Sequence, residues 1–173
     1  MIEAPRFQAA PAEALLRLEL WADPRWAGAR FESGFGVALP DPARAVWAGS
    51  ARVLWREPDA WMVRAPLAER ESLNRRLVEV AGDDGAVTDI SGAAVRCAIH
   101  GGDWRTLLTY GGVFDAESPT FGPGSVAGTV VEHMAVRFDV ITQDQVDAYV
   151  APSYAQDLFG YWARVARGLD VRG

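Results

Sequence analysis

From Val130 to Val140 the sequence alternates with period two: Val130, Met134, Val136, Phe138 and Val140 fall on one side of an extended chain, His133, Arg137 and Asp139 on the other. A strand that is apolar on one face and polar on the other belongs to an antiparallel sheet with a single covered face. A partner strand follows at Val146–Val150. Beyond it Leu158, Phe159, Trp162, Val165 and Ala166 recur at helical spacing, with Gly168 past their end. Ser153 and Gln156 stand at the spacing of a capping box, which predicts a helix start at Ser153.

The upstream chain repeats this order. Over Ala14–Trp21, Leu16, Leu18 and Leu20 alternate with Arg17 and Glu19, which favours a strand, although the length is also compatible with a helix. The segment holding Trp26, Phe31 and Phe35 among Gly28, Gly34 and Gly36 reads as loop-dominated. Val46–Val53 predicts a strand, Glu57-Pro58-Asp59 a turn, and Trp61–Arg64 the returning strand. Leu73, Leu77, Val80 and Ala81 mark a helix that Gly82 stops. Val87–Ile90 opens a second half and leads through Ser91-Gly92 to a strand in which Val95, Cys97 and Ile99 share a face. Gly101-Gly102-Asp103 opens a short helix carrying Trp104, Leu107 and Leu108, Gly111-Gly112 ends it, and Ser118–Gly124 is turn-rich.

The predicted fold class is α+β: antiparallel sheets with helices on one face, in repeated split β-α-β (ferredoxin-like) units. Residues 1–36 read as a lead-in and loop-rich segment, irregular over 1–12, packed on a domain spanning 37–168. That domain is expected to hold two β-β-α type halves, 37–85 and 86–168.

Composition excludes more than it assigns. A net charge of -6 argues against nucleic acid as a partner. All 17 basic residues are arginine, so Schiff-base chemistry, a phosphate-loop lysine and a lysine nucleophile are absent. No stretch approaches the about 20 apolar residues that cross a bilayer, and residues 1–20 show no basic-then-apolar leader, so no membrane partner is expected. The single cysteine, Cys97, points to a cytoplasmic location.

Few residues are candidates for chemistry. His100 precedes Gly101-Gly102 with neither a serine nor an orienting carboxylate beside it, and His133 follows Glu132 on a polar face. Two histidines without a spaced third ligand do not predict a metal site. Cys97 falls on the inward face, and its neighbour Arg96 points the other way. Phe121-Gly122-Pro123-Gly124 precedes a strand rather than a helix, so it reads as a turn and not as a phosphate cradle. No catalytic, cofactor-binding or metal-binding residue is predicted. Seven tryptophans exceed what so small a core absorbs with every indole N–H satisfied, and together with the arginines they point to a subunit interface.

Three stretches together resemble the gamma subunit of heterotetrameric sarcosine oxidase, a family similar in fold to the folate-binding aminomethyltransferase of the glycine cleavage system. The first is Leu39-Pro40 followed by EPDAWMV at Glu57–Val63, where Asp59 and Trp61 match the family pattern while Ala60 and Glu57 depart from it. The second is VTDIS at Val87–Ser91, with the Leu107-Leu108 pair running into Gly111, Gly112 and Asp115. Here Gly112 stands in a cysteine position and Val113 in a proline position. The third is FGPGSVAGT at Phe121–Thr129 with VAPSYA at Val150–Ala155, Pro152 replacing an arginine.

The resemblance covers roughly residues 37–166. It implies a non-catalytic structural subunit of a flavoenzyme that oxidatively demethylates sarcosine to glycine, with tetrahydrofolate accepting the one-carbon unit. FAD, FMN, NAD and tetrahydrofolate are then implied on larger, flavin-bearing partner subunits, with no active site on this chain alone. Three other readings stay open: the equivalent subunit of a related N-methyl amino acid oxidase or dehydrogenase, an independent homo-oligomeric binding module, and a stand-alone folate-binding aminomethyltransferase-like protein. In the last of these Asp89 or Asp115 would serve as general acid or base.

Overall fold

The computed structural model describes residues 5–21, 24–101 and 104–170, with side chains for all of these except 24, 25, 169 and 170. Along the chain the elements are β1 (Arg6–Ala9), β2 (Glu13–Leu20), α1 (Pro24–Phe35), β3 (Ala45–Ala48), β4 (Ala51–Glu57), β5 (Ala60–Pro66), α2 (Arg70–Ala81), β6 (Gly85–Asp89), β7 (Val95–His100), α3 (Trp104–Thr109), β8 (Val126–Val131), β9 (Met134–Thr142), β10 (Gln145–Val150) and α4 (Pro152–Asp170). The chain divides into two compact units, Ala12–Gly92 and Met1–Pro11 with Ala93–Gly173.

Each unit holds a five-stranded sheet, ordered β3-β4-β5-β2-β6 in one and β1-β7-β10-β9-β8 in the other. Every pairing is antiparallel. The two orders are the same motif. In Ala12–Gly92 the strand after α2, β6, pairs beside the opening strand β2. In the other unit the equivalent place beside the opening strand β7 is taken by β1, from the other end of the chain. The architecture is thus a twice-repeated split β-α-β with one extra edge strand per unit, and α+β is the fold class expected from the sequence.

Period-two and period-3.6 patterns meet in each core. In Ala12–Gly92, Leu16, Leu18 and Leu20 of β2 lie with Val53 and Val63 beneath Ala27, Phe31 and Phe35 of α1 and Leu73, Leu77, Val80 and Ala81 of α2. The α2 residues are the four its spacing predicted. In the other unit Cys97 and Ile99 pack with Val136, Phe138 and Val140 beneath Trp104 of α3 and Leu158 and Trp162 of α4. Burying side chains of this size stabilises by about 1.5–3 kcal/mol each. In both units the helices share their core with one sheet face.

Several boundaries depart from the sequence expectation. The stretch read as loop-dominated contains helix α1, because Ala27, Phe31 and Phe35 recur every four residues and bury together, which outweighs the helix cost of Gly28 and Gly34. Gly36, at φ 74°, ends that helix and donates its N–H to the Glu32 carbonyl. Residues 6–9 of the expected irregular lead-in are strand β1, held by pairing with β7. Val46–Val53 is not one strand but a hairpin turning at Gly49-Ser50, where Gly49 adopts φ 65°. Val130 is not on the face it was assigned: it lies on β8, and the chain turns at Glu132-His133 before Met134.

Val87 and its neighbours close the Ala12–Gly92 sheet as β6 and do not open the second half, so the division falls at 92/93 in place of 85/86. For the same reason β2 and α1 belong inside that unit and not to a segment set apart at 1–36. Helix α4 begins at Pro152, whose missing N–H costs nothing at a first helical position, one residue before the expected Ser153 cap. The predicted helix opening at Gly102-Asp103 lies outside the described residues.

Gly85 is required by packing. A Cβ at Gly85 would overlap the Glu19 carbonyl oxygen and stand 2.8 Å from Leu20 Cδ2, where β6 meets β2. Gly85→Ala should therefore lower stability by about 1–3 kcal/mol. Gly92→Ala, with no neighbour within 4 Å, should leave it unchanged or slightly higher. Urea unfolding of both variants measures the difference.

Candidate functional site

The residues singled out for chemistry are dispersed. His100, at the exposed end of β7, sits opposite Gln145, which in turn lies opposite Thr142 at the end of β9. His133 lies in the loop that begins β9. The nine-residue β9, about 25–30 Å long at the rise of a strand, runs between these two ends of the sheet. His133 makes an edge-to-face contact with Tyr154, ring centroids 5.9 Å apart. Among the described residues no three His, Cys, Asp or Glu side chains are grouped to hold a metal ion.

Cys97 is fully buried in β7. Burial pushes its thiol up to about 12, and the nearby Asp147 carboxylate adds to the rise, so sulfur stays protonated and poorly nucleophilic. Arg96, the neighbouring cation in sequence, is engaged by Asp147 at 3.0 Å. Asp89 accepts from the Ser91 hydroxyl at 2.6 Å and the Ser91 N–H at 2.9 Å, with Arg70 at 3.6 Å. The Ser91 hydrogen bonds, with Arg70 adding a smaller pull, hold its carboxyl below the ordinary value, the opposite of what a general acid needs. Asp115 accepts the Glu117 N–H at 3.0 Å, an Asx turn in the other unit. Phe121–Gly124 is a turn before β8, with Gly124 at φ 81° and the Ser125 hydroxyl accepting the Gly122 N–H.

Tryptophans carry the other signal. Trp61 donates its indole N–H to the Pro40 carbonyl at 3.0 Å, which joins the Leu39-Pro40 and EPDAWMV elements into one structural feature. Trp104 donates to the Gln143 carbonyl at 2.9 Å. The Arg52 and Arg64 guanidinium groups both approach the Trp47 ring, 5.1 and 5.4 Å from its centre, and Glu13 meets Arg64 at 2.9 Å. Trp21 and Trp26 stay 66% and 72% exposed.

Each unit carries a surface cleft among its described residues. A polar one of 680 Å³ lies between the β8–β9 loop and α4, lined by Glu132, His133, Asp157, Tyr161 and Arg164. Burial raises the Tyr161 phenol, helped by the charge and hydrogen bond of Glu132. The other, of 530 Å³, lies between α1 and α2 with Trp26, Phe35 and Arg76 in its lining. Reading α1 as a loop concealed this groove, although the Ala27, Phe31, Phe35 spacing signals it. At Gly112, which stands in the family's cysteine position, a Cβ would lie 2.5 Å from the Leu108 carbonyl oxygen, so the backbone excludes a larger side chain there.

The structure is a duplicated antiparallel α+β fold, one five-stranded sheet to each unit. The family model for the sarcosine oxidase gamma subunit family matches residues 19–168, and the chain belongs to that family. No protein of curated function matches. A heterotetrameric sarcosine oxidase from Corynebacterium sp. U-96, in complex with pyrrole 2-carboxylate, superposes with TM-score 0.82 at 20% identity, over 96% of this chain and 85% of that one. The glycine cleavage system aminomethyltransferase T from Bartonella henselae superposes with TM-score 0.68 at 13% identity, over 93% of this chain and 46% of its own. The regulatory subunit of aspartate kinase from Thermus thermophilus gives 0.51 at 9% identity, over 95% and 98%. At these identities the likenesses show the fold alone.

Two outcomes follow from the titrations. In Ser91→Ala the Asp89 carboxyl should titrate at higher pH than in the parent, by carbon NMR. The folded value lies below the unfolded one, so the stability from this contact is present above about pH 4 and fades as pH falls through the folded value. Cys97 should be inert to a disulfide reagent at about pH 8 in the native protein and react fully once unfolded.

Proposed function

We propose that the chain is a non-catalytic subunit of a heterotetrameric flavoenzyme that oxidatively demethylates sarcosine to glycine, with tetrahydrofolate as one-carbon acceptor. Its partners are larger, flavin-bearing subunits that hold FAD, FMN, NAD and tetrahydrofolate. Family membership across residues 19–168 carries the reading. It is supported by the separation of His100 from His133 and by the turn roles of Asp89 and Asp115. The net charge of -6 agrees with protein rather than nucleic acid as the partner. A buried, free Cys97 agrees with a reducing cytoplasm, and no helix among the described residues is long and apolar enough to cross a membrane.

The test is expression of the chain alone and together with the larger sarcosine oxidase chains of the same source. Alone, it should produce no sarcosine-dependent hydrogen peroxide and no heat on titration with tetrahydrofolate; together, it should co-purify in a stoichiometric, sarcosine-oxidising complex. Tight tetrahydrofolate binding by the lone chain, lost in Asp89→Asn, would replace this reading with that of an aminomethyltransferase-like protein.

A further inference from the structure

No stretch of chain inside its own unit joins β1 to the sheet it completes, because the chain leaves that unit at Pro11 and returns at Ala93. β1 is seated by the antiparallel ladder to β7, which runs from Arg6↔His100 to Ala9↔Cys97, and the Ala10 N–H given to the Arg96 carbonyl at 2.8 Å extends that ladder. Phe7 packs on the core and meets the fully buried Trp162 edge to face, ring centres 6.2 Å apart. The other three β1 residues are exposed. By contrast β10 is paired over its whole length on both sides, to β7 and to β9. A four-residue edge strand with one aromatic anchor opens at lower cost than the strands behind it, which stay folded.

Once β1 has left, the β7 edge is a row of unpaired N–H and C=O groups beside a gap over Trp162. What fits that edge is fixed by what occupies it. The segment Arg6–Ala9 supplies the register and the phenyl ring, and every other copy of the chain carries the same segment. The hinge beyond it is short, Ala10-Pro11-Ala12, before β2 begins at Glu13. Pro11 fixes its own φ and biases Ala10 to an extended conformation. A short, stiff connection beside a terminal strand invites exchange of that strand between copies.

We propose that β1 is an exchangeable strand: in a two-fold dimer of this chain, the β1 of each copy pairs with the β7 of the other and places its Phe7 against the other's Trp162. The inference concerns the chain by itself and does not rest on the subunit reading. Closed monomer and exchanged dimer contain the same β1–β7 contacts, so concentration decides between them, and the rate of interconversion is set by how fast β1 leaves.

The experiment uses the full chain. Positions 6 and 100 are both exposed and lie directly opposite each other. Opposed Cα atoms in an antiparallel pair stand about 4.5–5.5 Å apart, within reach of a disulfide. Isotope-labelled and unlabelled copies of the double variant Arg6→Cys, His100→Cys are mixed, concentrated in mild urea, returned to buffer and oxidised. Monomer and dimer are separated by size-exclusion chromatography with light scattering, and the linked peptides are read by mass spectrometry. The monomer should hold the 6–100 bond within one copy, and the dimer should hold it between labelled and unlabelled copies. The unsubstituted chain, treated in parallel, should give the same dimer, and Phe7→Ala in that background should speed interconversion about tenfold. A chain that stays monomeric at every concentration overturns the proposal. So does a dimer whose 6–100 bonds all lie within single copies, the absence of that bond from both species, or an interconversion rate that Phe7→Ala leaves unchanged.

Discussion

Everything in the fold depends on giving the opening strand of each unit a neighbour on both sides. β2 is hydrogen-bonded to β5 along one edge and β6 along the other, and its leucines 16, 18 and 20 form the floor on which α1 and α2 pack. β7 stands in the same position between β10 and β1. A central strand with one bare edge would leave a row of backbone N–H and C=O groups to solvent or to stray pairing. In one unit the next segment of chain fills the place; in the other, a segment from the far end of the sequence does.

The same economy governs the polar side chains. A carboxylate, thiol or imidazole does chemistry when its pKa is poised and a second group stands within reach. Here Asp89 and Asp115 hold turns, Asp147 answers Arg96, and Cys97 is sealed as a thiol in the core. His100 ends β7, and His133 lies in the loop before β9, whose far end lies two strands across from His100. The surface carries exposed tryptophans, an arginine stacked on a phenylalanine, and a groove between two helices.

Where the sequence pattern was local and strong, the elements could be read directly. The four buried residues of α2 were legible from their spacing, as were the alternating strands around Leu18 and Phe138, because burial on one face imposes a period that no other structure satisfies. Helix α1 was not legible, since three glycines within thirteen residues outweigh in propensity what Ala27, Phe31 and Phe35 recover only by packing on a sheet. The hairpin at Glu132-His133 escaped for a related reason. Neither residue announces a turn, and Glu132 reaches φ 56° because the paired strands on either side hold it there.

By itself the sequence determined the α+β class, the repeat of strand pairs and helices, the exclusion of lysine chemistry, and a family resemblance borne by short motifs. These are properties of neighbours along the chain, where side-chain period and turn residues act over a few positions. Only the tertiary structure decided that β1 completes the sheet of the distant half and that Trp61 ties down the Leu39-Pro40 element. It alone decided that Arg76 is laid over Phe35. Each of those joins residues far apart in sequence, and the free energy that selects them comes from edges and faces that exist only once the sheets have formed.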